Sequence, residues 1–309
     1  PILADTTISL VLYAWFFEKE ERPATAFKLS LWYALNPIAI ATCTLQGQFE
    51  SLPSLFALLA VIQATRSNTV SVKSAWWLCL GGLAKTWPLI LLPAFLSRAE
   101  TAKQKIVFTA IAVLPTVISV GVLYHFAPDA ISHHVLGYRG RSGMWGLTAL
   151  NNLLSEDAGK LWSRIVFYLL ISAWLIVTAK TWKRGSVGQC ACLGILTFYV
   201  FTSGMGPQYC AWILALALIS DFSRARLFTV VATLCVGVMY LCTPYNGEYF
   251  NYIHQFHSPL FWATNMKPYH LRMAALNFLP LWLFCIGWLV GLLRDVLKPT
   301  TDEAKLITD

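Results

Sequence analysis

Two short stretches hold the side chains with the greatest chemical reach: Asn36–Glu50 (NPIAIATCTLQGQFE) and Gly82–Pro88 (GLAKTWP). The first is an apolar run ending in Gly47-Gln48-Phe49-Glu50, which places a carboxylate where a membrane span would emerge. The second interrupts another apolar run with Lys85, directly before Trp87-Pro88. An ammonium inside a membrane-depth run costs ~2.5–3.5 kcal/mol on insertion scales. Lys85 therefore either snorkels to the interface or pairs with an anion, which is Glu50 or a ligand phosphate. Glu50 precedes Ser51-Leu52-Pro53, a helix start. It either complements that helix's dipole or serves as a functional acid retained despite its cost near hydrocarbon. Asp5, early in the first apolar run, has the same two readings.

Three further stretches carry polar or aromatic groups. In 137–147, GYRGRSGMWGL, Arg139 and Arg141 stand between glycines. Guanidiniums bind phosphate well, often bidentately; the bland alternative is a solvated loop, and the pattern is not a P-loop. Gly204-Met205-Gly206-Pro207-Gln208-Tyr209 makes a turn before Trp212, and Gln208 either hydrogen-bonds a sugar or caps the next helix. The region 244–272 is rich in aromatics (Tyr245, Tyr249, Tyr252, Phe256, Trp262), which are interfacial anchors or a stacking wall. His254 and His257 with Glu248, or with His133 and His134, have little metal-ligand spacing. No cofactor is expected, and a divalent cation stays open. No Ser-His-Asp order, HExxH, kinase or dinucleotide signature occurs.

Composition says what must position these groups. The chain is 57% hydrophobic and 12% charged, against about 25% charged in soluble domains. Its mean hydropathy is +0.59. Long unbroken apolar runs favour helices over the alternating segments of an outer-membrane barrel. An all-α, polytopic membrane bundle follows, with 1–298 as one domain and 299–309 as a polar tail. Eight cysteines lie almost all in apolar runs without a CxxC pair, so they read as small buried hydrophobes. The net charge of +8 reads as basic cytoplasmic loops and not as a nucleic-acid surface.

A crossing needs about 20 apolar residues. Nine are expected, near 2–17, 29–46, 52–66, 106–126, 161–180, 187–203, 207–220, 226–243 and 273–293. The run 71–98 is divided by Lys85-Thr86-Trp87-Pro88 into halves of ~13 residues, each reaching only ~20 Å. Threaded as a re-entrant hairpin, it leaves sixteen Lys and Arg on one side and seven on the other. Threaded as a full crossing it gives eleven against eleven. The positive-inside rule favours re-entry, and a broken helix at membrane depth is tolerated where protein or a wet cavity covers it. Glu50, Lys85, 127–160, 204–209 and 244–272 then share the non-cytoplasmic face. The chain begins without Met, directly in an apolar run, so a preceding segment is expected.

In these residues the chain resembles a family. A span beginning P-x-L-A-D, an N-P span ending G-Q-F-E, then G-L-A-K-x-x-P, Y-R-G-x-x-G-x-W-G-L and P-Q-Y-x-x-W resemble the GT-C membrane glycosyltransferases, over about residues 1–215. The likeness is to polyprenyl-phosphate-sugar-dependent hexosyl- and mannosyltransferases, with the dolichyl-phosphate-mannose enzymes as relatives.

The resemblance implies inverting transfer of a hexose, mannose first, from a lipid phosphate to a glycolipid or glycan hydroxyl at the outer or luminal face. The membrane would be the plasma membrane in a prokaryote or the endoplasmic reticulum in a eukaryote. Such chemistry needs a carboxylate as general base and cations on the leaving phosphate. By this likeness Lys85 faces the phosphate, and Glu50 orients substrate or assists as base. Arg139 and Trp145 match the Y-R-G loop, in which Arg141 also stands, and Gln208 and Tyr209 match the P-Q-Y turn. The family's usual catalytic Asp lies upstream of the P-x-L-A-D span, where this chain starts. The base then lies in a preceding segment, or Glu50 or Asp5 takes the role, or the protein is a non-catalytic subunit of a glycolipid-processing complex. A transporter or flippase is the third alternative, since a broken helix with a lysine also suits that class.

Overall fold

The computed structural model describes residues 1–45, 47–67, 69–132, 135, 145–202, 204–242 and 267–298. The side chains of 45, 239–242 and 267–274 lie outside that description. The protein is all-helical, with no strand among the described residues.

Among the described residues, three helices are long and apolar enough to cross a membrane: α7 (Ala102–Phe126), α9 (Glu156–Thr181) and, within α13 (Lys267–Leu297), the stretch Ala275–Leu297. They answer the crossings expected at 106–126, 161–180 and 273–293. α7 buries only Phe108, Ala112 and Thr116 and leaves Val117, Ile118 and Val122 exposed. A helix apolar all round with so little of it packed suits a hydrocarbon neighbour.

Two of the other expected crossings are broken, for local reasons. The run 29–46 is not one helix. α2 (Pro23–Ala34) stops at Leu35, because Asn36 precedes Pro37 and a residue before proline is pushed out of the helical region. Asn36 then starts α3 (Pro37–Ala39): its Oδ1 accepts from the Ile38 N–H at 3.0 Å. Its Nδ2 donates to Thr229 Oγ1 at 3.0 Å, on α12 (Phe222–Cys242). A π-helical turn, Ile40–Leu45, follows. Likewise 207–220 is a 3-10 turn, Pro207–Ala211, and then the short α11 (Leu214–Ser220).

The run 71–98 is broken at the residue the sequence singled out. α5 (Val72–Ala84) ends at Lys85, whose backbone is extended. A 3-10 segment, Trp87–Leu91, and α6 (Leu92–Leu96) complete the run.

The packing centre is α10 (Val187–Phe201), VGQCACLGILTFYVF, without a charged residue and buried over most of its length. It touches α9, α11, α13, α6 and α4 (Ser51–Ser67). Small residues on one face let neighbours close in: a Cβ on Gly188 would stand 2.2 Å from Ser220 Oγ. α1 (Ile2–Glu20) packs on α2 and α4, and α5 packs on α4 and α7. The start of α4, the end of α5 and the Pro207 turn thus gather at one end of the core.

Candidate functional site

Glu50 ends the stretch after the π-helical turn and leads into α4, while Lys85 ends α5; the packing of α4 on α5 brings the two together. Lys85 Nζ donates to Glu50 Oε1. The other oxygen, Oε2, accepts from Trp212 Nε1 at 2.8 Å. Glu50's side chain is 0% exposed and that of Lys85 28%. One partner is therefore sealed in and the other opens outward. Lys85 Nζ also lies 5.5 Å from the centroid of the Phe49 ring, which is itself exposed.

Burial raises the Glu50 carboxyl above its usual 4.5, and the Lys85 ammonium and the Trp212 N–H pull it back by favouring the ionised form. A carboxylate with both oxygens engaged is a support. It fixes the ammonium at the break, where one of three N–H donors is taken by Glu50. Of the two sequence readings of Lys85, pairing with Glu50 is the one realised.

An aromatic stack surrounds the pair. Trp212 lies nearly parallel to Trp87, centroids 5.0 Å apart and planes 6° apart, and stacks on Tyr209 at 4.3 Å. Tyr199 OH donates to the Tyr209 carbonyl. Trp145, 1% exposed, donates through Nε1 to the Tyr199 carbonyl and meets Phe278 edge-on. A chain of contacts runs from Trp145 through Tyr199, Tyr209 and Trp212 to Glu50 and Lys85. Trp145 and Tyr209 enter it as buried wall. Gln208 is half-buried and folds back over Gly206, where a Cβ would meet its amide at 2.5 Å.

No family model, curated protein or solved structure matches this chain. The site therefore rests on its own geometry.

Asp5 reaches the same end of the molecule from α1. Its Oδ1 accepts from Tyr33 OH at 2.9 Å, and its Oδ2 is buried without a hydrogen-bond partner. Ser51, the residue after Glu50, donates to the Pro1 carbonyl at 3.2 Å and so ties the start of α1 to the start of α4.

Of the expected site residues, Glu50, Lys85, Trp145 and Tyr209 join one connected set, with Asp5 and Gln208 beside it. Arg139, Arg141, His133, His134, Glu248, His254 and His257 lie outside the described residues, as do the aromatics from Tyr245 to Trp262 and the tail 299–309. Among the described residues, no three His, Cys, Asp or Glu side chains gather as a metal-ligand set. Two participants had little sequence signal. Trp212 is 162 residues from Glu50, and Trp87 reads equally as an interfacial belt residue. The one clue was their shared company, each beside a proline turn.

Proposed function

We propose that the chain is a multi-pass membrane glycosyltransferase that moves a hexose, mannose first, from a polyprenyl or dolichyl phosphate to a glycolipid or glycan hydroxyl. The observation that carries this reading is Lys85 at a helix break, held by the sealed Glu50 and open on its other side. A cation fixed beside hydrocarbon, with donors to spare, suits a lipid phosphate better than a solute that must pass through.

In the proposed reaction the acceptor hydroxyl attacks the anomeric carbon, and the bond from that carbon to the phosphate oxygen breaks with inversion. The electron pair leaves with the phosphate, whose growing charge Lys85 neutralises. The hydroxyl proton passes to a carboxylate. Asp5 suits that step, because its Oδ2 has no hydrogen-bond partner, whereas both oxygens of Glu50 are engaged. Glu50 orients Lys85. Arg139 and Arg141 add cations from their glycine-rich stretch. The polytopic bundle, the re-entrant run 71–98 and a non-cytoplasmic site belong to the same proposal, supported by the charge asymmetry and by the three membrane-length helices.

A second reading, a non-catalytic subunit that holds a lipid-phosphate sugar, is favoured by the full engagement of Glu50. Membranes containing the protein, supplied with radiolabelled polyprenyl-phosphate mannose, separate the two. Label on an acceptor that depends on Asp5 supports the enzyme. Retained donor binding with no transfer supports the subunit.

A further inference from the structure

Among the described residues, three buried tryptophans donate their N–H to an acceptor, and Trp87 is the one whose N–H atom is itself sealed from solvent without a partner. Trp145 donates to the Tyr199 carbonyl, Trp212 to Glu50 and Trp288 to Asp221 at 2.9 Å. Trp87 is 4% exposed, and its Nε1 is buried without a hydrogen-bond partner. Buried donors are nearly always satisfied, and a buried indole N–H ordinarily finds an acceptor.

Its position gives the omission meaning. Trp87 stands two residues after Lys85 and opens the 3-10 segment after the break. Its ring lies parallel to Trp212, the same indole that holds Glu50. Of two stacked indoles, one N–H completes the support beneath Lys85 and the other is left for something else. Glu50 does not serve it, since it already receives Lys85 on one oxygen and Trp212 on the other.

We propose that the Trp87 indole N–H is a phosphate-binding donor, completing with Lys85 a two-point grip on the phosphate of a prenyl-phosphate lipid. This deepens the function proposed above and rests on it. Lys85 supplies charge and Trp87 supplies direction, since a rigid ring donor fixes an oxygen where a flexible ammonium does not. Stacking on Trp212 keeps the ring from turning to another acceptor.

The test is equilibrium binding of radiolabelled farnesyl phosphate to the purified protein in phosphatidylcholine nanodiscs, with farnesol as the phosphate-free control. Trp87→Phe keeps an aromatic ring on Trp212 and removes the N–H. Replacing Trp87 with 3-benzothienylalanine, sulfur in place of N–H at the same shape, serves where Phe disturbs folding. Lys85→Ala is the reference. The expected result is farnesyl phosphate bound about tenfold more weakly or worse without the Trp87 N–H, as for a lost hydrogen bond to a charged group, with farnesol binding unchanged. Equal affinity for farnesyl phosphate with and without that N–H, while Lys85→Ala loses it, overturns the role of Trp87 alone. An equal loss for farnesol makes the effect one of packing and also overturns it. A wild type that does not prefer farnesyl phosphate to farnesol overturns the phosphate reading of Lys85 and this inference with it.

Discussion

Trp212 donates its indole N–H to Glu50 Oε2 at 2.8 Å, across 162 residues of sequence. That bond joins the Pro207 turn to the start of α4 and makes Glu50 the shared acceptor of Trp212 and Lys85. Glu50 is thus the residue whose loss leaves two donors without a partner.

Glu50→Ala is expected to destabilise the protein by about 2–4 kcal/mol. Removing one partner of a buried ion pair strands the other, and an orphaned buried N–H adds its own desolvation. The value stays below the top of the range for buried pairs because Lys85 can turn its exposed face to water. Glu50→Gln, which keeps an acceptor for Trp212 and, like the protonated acid, carries no buried charge, is expected to cost little or nothing. Thermal unfolding in detergent reads the order Ala worse than Gln; equal losses would show that the Trp212 bond contributes nothing.

Protonation of Glu50 gives stability and activity opposite slopes in acid. Its folded pKa lies above the usual 4.5 because burial disfavours the charged form. A carboxyl raised in the folded state binds its proton more tightly there, so stability is greatest below the unfolded value and declines as pH rises through the folded one. Transfer runs the other way, because the neutral acid no longer fixes Lys85. The acid limb of a pH–rate profile should lie above 4.5. Trp212→Phe, which deletes a bond to the ionised form, should move that limb upward. A limb unmoved by Trp212→Phe contradicts the assignment.

Gly206→Ala tests the turn from the other side. The added Cβ would stand 2.5 Å from Gln208 Oε1. The obstacle is the end of a flexible side chain, so Gln208 swings away and the backbone stays. A fall in donor or acceptor affinity of about threefold to tenfold, with an unfolding temperature within about 2 °C of wild type, marks Gln208 as a ligand contact (~1 kcal/mol for one neutral hydrogen bond). Unchanged affinity removes Gln208 from the ligand site.

Asn36→Ala should cost about 1–2 kcal/mol through the lost helix cap, together with the bond to Thr229 that ties α3 to α12. Denaturation in detergent reads it, and Asn36→Asp should restore the cap alone.

The sequence made some of this legible and hid the rest for physical reasons. Lys85 before Trp87-Pro88 announces a helix break, because an ammonium and a proline both disfavour a continued span, and α5 ends there. An anionic partner for Lys85 could be demanded from charge alone, and Glu50 answers it. The division of 29–46 was signalled by Asn36-Pro37, but a hydropathy window averages across such a dipeptide. Trp212 and Trp87 stayed hidden, since an indole that grips a carboxylate and one that anchors at an interface have the same letter. Trp145 stood in a glycine-rich stretch that looked like ligand-facing surface; its burial depends on α10 and α13 closing over it, which no local pattern encodes.

The most direct measurement is transfer of label from radiolabelled polyprenyl-phosphate mannose to endogenous acceptors. It compares membranes holding wild type, Lys85→Arg and Lys85→Ala at matched expression. If Lys85 neutralises the leaving phosphate, wild type transfers label, Arg, which keeps the charge, transfers in part, and Ala falls by about a hundredfold or more, as for a lost charged contact in the transition state. Transfer unaffected by Lys85→Ala would contradict that role and leave the lysine as the outward half of a structural pair.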